Sequence, residues 1–208
     1  VYRYVIAYKP YGVLSIHHRD PLGRGTLTTL GIPVTLNPAG RLDLDSEGLL
    51  LLTDDGQTLH RLTHPYFRHS KTYLVLVLGR PSAEALAQLR AGVEIKGRRT
   101  RPADVEVLMG EPHLPPFPRQ LPSPAKTTWL RIVLREGRKR QVRRMTGAVG
   151  HPTVRLVRVA IGRLTLPRDL APGEWRDLTA TELRVLLDDV WPRGRRRSGS
   201  PTRVRRYS

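Results

Sequence analysis

Gly40-Arg41-Leu42-Asp43-Leu44-Asp45-Ser46-Glu47-Gly48 runs directly into Leu49-Leu50-Leu51-Leu52-Thr53 and on to Asp54-Asp55-Gly56. Three acids on a short turn thus precede an apolar run that reads as a buried strand. A carboxylate fixed at the edge of such a strand is rigid and partly desolvated, and so suited to nucleophilic or acid/base work. Asp43, Asp45, Glu47, Gly48 and Asp54 also fall at ligand positions of a twelve-residue calcium loop. Here, however, leucines fill the loop interior, and Pro38 and Gly40 stand where the entering helix belongs, so no calcium site is expected.

Around this acidic turn the chain is basic. Of its 208 residues 36 are Lys or Arg and 18 are Asp or Glu, a formal charge of +18, which favours a polyanionic partner, nucleic acid first. Seven arginines lie between Arg193 and Arg206 among Gly, Ser and Pro, so residues 191–208 read as a disordered tail. Subtracting those seven charges leaves about +11, so the body is basic as well. Cysteine is absent, which excludes disulfide scaffolds and thiolate zinc sites. The apolar runs are too short to span a membrane and no signal pattern opens the chain, so a cytoplasmic location is expected.

Strands are expected at Arg3 to Tyr8, Leu49 to Thr53, Lys71 to Leu78, Asp104 to Met109, Thr127 to Arg135, Val154 to Ile161 and Trp175 to Leu178. Asp54 or Asp55 caps a helix over Gln57 to Thr63, which Pro65 ends. Pro81-Ser82 opens a second with Leu86, Leu89 and Val93 on one face. In Arg138 to Val149 an apolar stripe of Val142, Met145 and Val149 turns Arg140 and Arg144 outward. Thr179 and Glu182 form a capping box for a last helix to Asp188. The region up to Pro38 is unassigned, and proline-rich Glu111 to Pro124 reads as a surface loop. Irregular interspersion of strands and helices indicates an α+β chain with a mixed, largely antiparallel sheet flanked by helices and loops.

His60 and His64 have the i, i+4 spacing of zinc ligands but no glutamate between them, and the other histidines do not cluster, so no metal is assigned. No glycine-rich phosphate loop and no Gly-x-Ser-x-Gly elbow is present. Taken singly, Asp43 is a turn carboxylate accepting backbone hydrogen bonds, and Arg138 to Arg144 is a solvated or RNA-binding face. Asp45 rivals Asp43, since residues two apart on an extended segment share one side.

Three segments in order change that reading. Gly40 to Thr53, Lys71-Thr72-Tyr73 and Glu136-Gly137-Arg138-Lys139-Arg140-Gln141-Val142-Arg143-Arg144-Met145 closely resemble the RsuA-type pseudouridine synthases, supported by Lys9-Pro10-Tyr11-Gly12-Val13 and Leu156 to Gly162. The resemblance spans roughly residues 3 to 178. No room is seen for the S4 RNA-binding domain that precedes the catalytic part in many members. With the proline-rich insert and Gly173-Glu174-Trp175-Arg176, this makes the chain similar to the branch that modifies large-subunit ribosomal RNA.

The resemblance implies a catalytic domain over residues 1–190 in two sub-halves, with a break near 65–70. It implies Asp43 as nucleophile, Arg143 as its ion-pair partner, and Tyr73 against the target base as a candidate proton acceptor. Arg41 is expected to help fill or vacate the base site. Lys9, Lys71, Arg138, Arg140, Gln141 and Arg144 are expected at the RNA. The implied substrate is a uridine of large-subunit ribosomal RNA, naked or in a pre-ribosomal particle, handled by a monomer without cofactor, metal or membrane. A non-catalytic ribosomal RNA-binding or assembly protein would share the charge and the tail, and a glycosidase or glycosylase using Asp43 and Asp45 would release free base or sugar.

Overall fold

The computed structural model describes residues 2–192. The arginine-rich stretch from Arg193, expected to be disordered, lies outside them. The long strands are β1 (Tyr4–Lys9), β2 (Glu47–Thr53), β3 (Lys71–Leu78), β4 (Asp104–Val107), β5 (Thr127–Leu134), β6 (Thr153–Ile161) and β7 (Trp175–Asp177). The helices are α1 (Gly56–Thr63), α2 (Ala83–Ala91), α3 (Gln141–Ala148) and α4 (Ala180–Val190). The strands form one sheet in the order β7-β1-β2-β6-β3-β5-β4. Neighbours are antiparallel except β2 and β6, which pair in parallel through Val157 with Glu47 and Arg158 with Gly48. This is the expected α+β arrangement.

The four leucines of β2 are all fully buried because the strand has protein on both faces, the condition under which an uninterrupted apolar run is stable. Leu49 and Leu51 join Ile6, Tyr8 and, from the C-terminal part, Val157, Leu186 and Val190. Leu50 and Leu52 point the other way, onto Leu27, Ile32 and Leu36. Those last three belong to the region unassigned from sequence. It holds a two-residue parallel pairing of Val13–Leu14 with Gly25–Thr26 and a 3-10 turn at Thr28–Leu30, and its purpose is to cover β2. A further cluster, built on Val75, Leu89, Leu130, Val142 and Met145, lies on the other side of the β2–β6 pairing. The stretch 65–70 holds the 3-10 turn Pro65–Phe67, and the strands before it share their core with residues from β6 to α4.

Local signals explain the helix ends. Asp55, not Asp54, caps α1, accepting from the Gln57 and Thr58 amides, because Asp54 accepts from the Arg3 amide instead. Ser82 caps α2, and the Thr179–Glu182 box is complete on α4. Helix α3 starts at Gln141, three residues later than expected from Arg138, because Arg140 adopts a left-handed conformation at φ 54°. Val93 lies beyond α2, yet is buried in the same cluster as Leu89.

Gly48 lets the parallel strands meet. Its φ is +102°, and a methyl group there would run into the carbonyl oxygen and amide nitrogen of Arg158. Gly48→Ala therefore combines backbone strain with a collision against main chain that has no rotamer to move. We expect it to lower stability by roughly 3 kcal/mol or more, read by denaturant unfolding; an unchanged midpoint would show that β2 and β6 can separate without cost.

Candidate active site

The turn before β2 is held from three sides by backbone-directed bonds. Ser15 Oγ donates to the Leu42 carbonyl at 2.9 Å and accepts from the Leu42 amide at 3.1 Å. The Gly12 amide donates to the Leu44 carbonyl at 2.8 Å, and Arg143 Nη2 to the Asp45 carbonyl at 2.6 Å. The Ser46 amide closes the turn on the Asp43 carbonyl at 3.1 Å. Asp43 sits between these anchors, so its backbone is fixed while its side chain remains one-third exposed.

Asp43 lines a cavity of about 630 Å³, a size suited to a small ligand or one nucleotide base. Tyr73 and Lys71 from β3, Arg41 from the acidic turn, and Arg138, Arg140 and Gln141 from the approach to α3 share its wall. Seven of the ten residues singled out in the sequence therefore meet at one opening between the two sides of the sheet. Lys9, Arg143 and Arg144 are not in its wall.

Two expectations are corrected. Arg143 does not pair with Asp43: its Nε lies 3.3 Å from the Asp45 carboxylate, while the nearest cation to Asp43 is Arg140, with Nη1 at 4.0 Å. Arg140, expected to point outward, instead grips Asp45 with two bonds of 2.9 Å. The turn between Asp43 and Asp45 is the reason. It breaks the extended geometry that would have put both carboxylates on one side, sending Asp43 to the cavity and Asp45 to α3. Burial pushes the Asp45 carboxyl up, but the Arg140 bonds and the charges of Arg143 and Arg140 outweigh it and leave it below its ordinary value.

Lys9 is the second. Expected at the RNA, it is 0% exposed, with Nζ donating to the carbonyls of Pro10 at 2.8 Å and Val13 at 2.6 Å. It closes the Lys9-Pro10-Tyr11-Gly12 turn whose glycine amide holds Leu44, and so acts on Asp43 through the backbone. Burial, only partly offset by Glu47, Asp45 and Asp43, brings its ammonium down to about 7.

Arg138 and Gln141 are also committed within the protein. The Arg138 guanidinium donates to the carbonyls of Ile95 at 2.7 Å and Arg98 at 3.0 Å. Gln141 accepts from the Arg138 amide and donates to Glu136. Both shape the cavity wall by fixing the loop that carries Arg140. Arg144 is half-buried on α3. The rings of His60 and His64 lie with centres 4.9 Å apart and planes tilted by 40°, and no group of metal-ligating side chains occurs among the described residues.

Sequence reasoning missed three features. Glu47 and Arg155 form a bidentate ion pair of 2.9 and 3.0 Å, both side chains 3% exposed, beside the parallel pairing. The proline-rich loop is anchored there, with Arg155 donating to the Pro115 carbonyl and lying over Phe117, which packs edge-on against Tyr11. Arg158, 1% exposed, joins the cavity wall. Arginines inside the otherwise apolar run of β6 were the available signal, since an unpaired buried charge is costly.

Lys9 yields a sign-specific prediction. Its folded-state value of about 7 lies below the ordinary 10.5, so between those limits the unfolded chain binds more protons and stability rises with pH. Lys9→Met should flatten the rise measured by thermal unfolding from about pH 7 to pH 10, above which Tyr4 and Tyr8, both pushed up to about 12, act in the opposite sense. Lys71, lowered to about 8, leaves a smaller rise above about pH 8, so it is an undiminished rise that would assign the effect away from Lys9.

Comparison with known proteins accords with this geometry. Residues 3–148 match the RNA pseudouridylate synthase family. Ribosomal large subunit pseudouridine synthase E of Xanthomonas campestris pv. campestris is 50% identical over 177 residues, covering 83% of this chain and 93% of the relative. The protein of the same name from Xanthomonas axonopodis pv. citri is 51% identical over 185 residues, covering 86% and 96%. A solved structure described as a pseudouridylate synthase superposes with a TM-score of 0.73 at 32% identity, covering 89% of this chain and 74% of the other. The chain therefore belongs to the RNA pseudouridine synthases of the RsuA type.

Proposed function

We propose that this isomerase acts on one uridine of large-subunit ribosomal RNA, with Asp43 as the nucleophile on a base flipped into the cavity. The carrying observation is the exposed Asp43 carboxylate on a fixed backbone, facing the same cavity as Tyr73. A large-subunit substrate is supported by the names of the relatives that align over most of their length and by the formal charge of +18. Isomerisation breaks the bond between ribose C1′ and uracil N1, turns the base and rejoins it through C5. No atoms are gained, so the chemistry calls for no cofactor.

A uracil stacked in RNA is out of reach, so the target leaves the stack and packs on Tyr73. Arg41, exposed at the cavity mouth, takes the space the base vacates or guides it in. Asp45 keeps Arg140 and Arg143 in place beside Asp43 without entering the cavity itself. Each protein molecule acts as a monomer, on naked RNA or on a precursor particle. Residues 1–190 work as one catalytic unit, since the wall draws on the turn before β2, on β3, on the approach to α3 and on β6.

Large-subunit RNA labelled with tritium at uridine C5 tests this reading. Wild type should release tritium, and Asp43→Asn should bind the RNA with comparable affinity and release none. Release by Asp43→Asn at the wild-type rate would remove Asp43 from the chemistry. Absence of release by wild type from both naked RNA and precursor particles would favour a binding protein, and free uracil would favour a glycosylase.

A further inference from the structure

Among the cations of the cavity wall that have no carboxylate partner are Arg158 and Lys71. Arg158 on β6 pairs in register with Tyr73 on β3, so the two side chains lie on one face of the sheet. The Arg158 Nε donates to the Leu49 carbonyl at 2.9 Å, and its buried Nη2 has no hydrogen-bond partner. Lys71, two residues before Tyr73, shares that face. Its Nζ donates to the His69 carbonyl at 3.2 Å, and burial together with the Arg158 charge lowers it to about 8. Meanwhile Asp45 is taken by Arg140 and Arg143, and Glu47 by Arg155.

Two desolvated like charges side by side are unfavourable unless something brings them acceptors. Protein carbonyls supply one to each, which leaves donors over. We propose that Arg158 and Lys71 form a subsite for the carbonyl oxygens of the flipped uracil, gripping them more tightly as the base detaches. The inference rests on the uridine isomerase reading above.

The chemistry rewards such a pair. When N1–C1′ breaks, the bonding electrons stay with the uracil and spread over O2 and O4, and fixed cations there stabilise the developing charge. C5 then bonds to C1′, the Asp43 carboxylate leaves the bond it made in the first step, the C5 proton passes to solvent and N1 takes a proton from solvent, so atoms and charge balance. Arg and Lys are donors without acceptor capacity. They donate to the C4 carbonyl of uracil and oppose the C4 amino group of cytosine, so the subsite also selects the base. A phosphate would satisfy the same charges, but Tyr73 on the same face favours a planar base as occupant.

The test uses the full-length protein and RNA carrying uridine, 2-thiouridine, 4-thiouridine or cytidine at the mapped target, sulfur being a weak acceptor. Single-turnover isomerisation is followed by nuclease digestion and nucleoside chromatography for wild type and Lys71→Met, with Arg158→Lys beside them. One sulfur replacement should slow wild type about tenfold or more, and Lys71→Met should slow uridine turnover about tenfold or more with RNA affinity within about threefold. The two losses should not multiply when combined. Cytidine RNA should bind wild type about tenfold more weakly than uridine RNA, and this arm decides for Arg158 if Arg158→Lys misfolds.

Losses that multiply, or a Lys71→Met defect confined to RNA affinity with a sulfur-insensitive wild type, would overturn the subsite and assign these cations to phosphate. Equal binding of cytidine and uridine RNA would also overturn it. Failure of wild type to isomerise uridine itself would overturn the proposed function instead.

Discussion

The parallel approach of β2 to β6 is the contact on which the site depends. At Gly48 the backbone comes against Arg158 with no room for a side chain, and the acidic turn is the stretch that leads into it. The buried Glu47–Arg155 pair stands at the same junction. Breaking such a pair on one side leaves an uncompensated charge, a cost of about 3–5 kcal/mol, so each partner fixes the other. The junction thereby joins the part of the sheet that carries Asp43 to the part that carries Tyr73 and α3.

Charge around the turn is sorted by the direction in which each residue faces. Glu47 points into protein and Asp45 turns towards α3, and both are neutralised by arginines at hydrogen-bond distance. Asp43 points into the cavity, and its nearest cation is at 4.0 Å. The carboxylate left uncommitted is the one with access to a ligand. Lys9 adds charge near the same group without reaching the cavity, because its bonds to two carbonyls spend its donors on the turn below.

Much of this was legible in the sequence. The turn-then-leucine pattern identified β2, Ser82 and the Thr179–Glu182 box marked helix starts, and the three quoted segments do gather Asp43, Tyr73 and Arg140 at one cavity. What escaped was set by tertiary geometry. The resemblance implied a pairing of Arg143 with Asp43, whereas the turn at Leu44-Asp45 rotates one acid away from the other and leaves Arg143 on Asp45. A left-handed Arg140 delayed α3, and no propensity signals that conformation in an arginine. Leu27, Ile32 and Leu36 lack regular periodicity, because they cover β2 from loops and a short turn rather than from one amphipathic element. Burial of Lys9 was hidden by its neighbours, which read as an ordinary exposed turn.

The pairing of Glu47 with Arg155 joins residues 108 positions apart, and Arg143 reaches the Asp45 carbonyl across 98. Strand β1 is likewise flanked by β7, near the end of the described chain. As a nascent chain emerges, Asp43 therefore appears long before the residues that shape its surroundings, and β1 and β2 wait for a C-terminal strand and helix to bury them. Loop closure over such distances is a slow element of folding. The competent site is assembled only with these long-range contacts, which ties the onset of reactivity to the emergence of β6, β7 and α4.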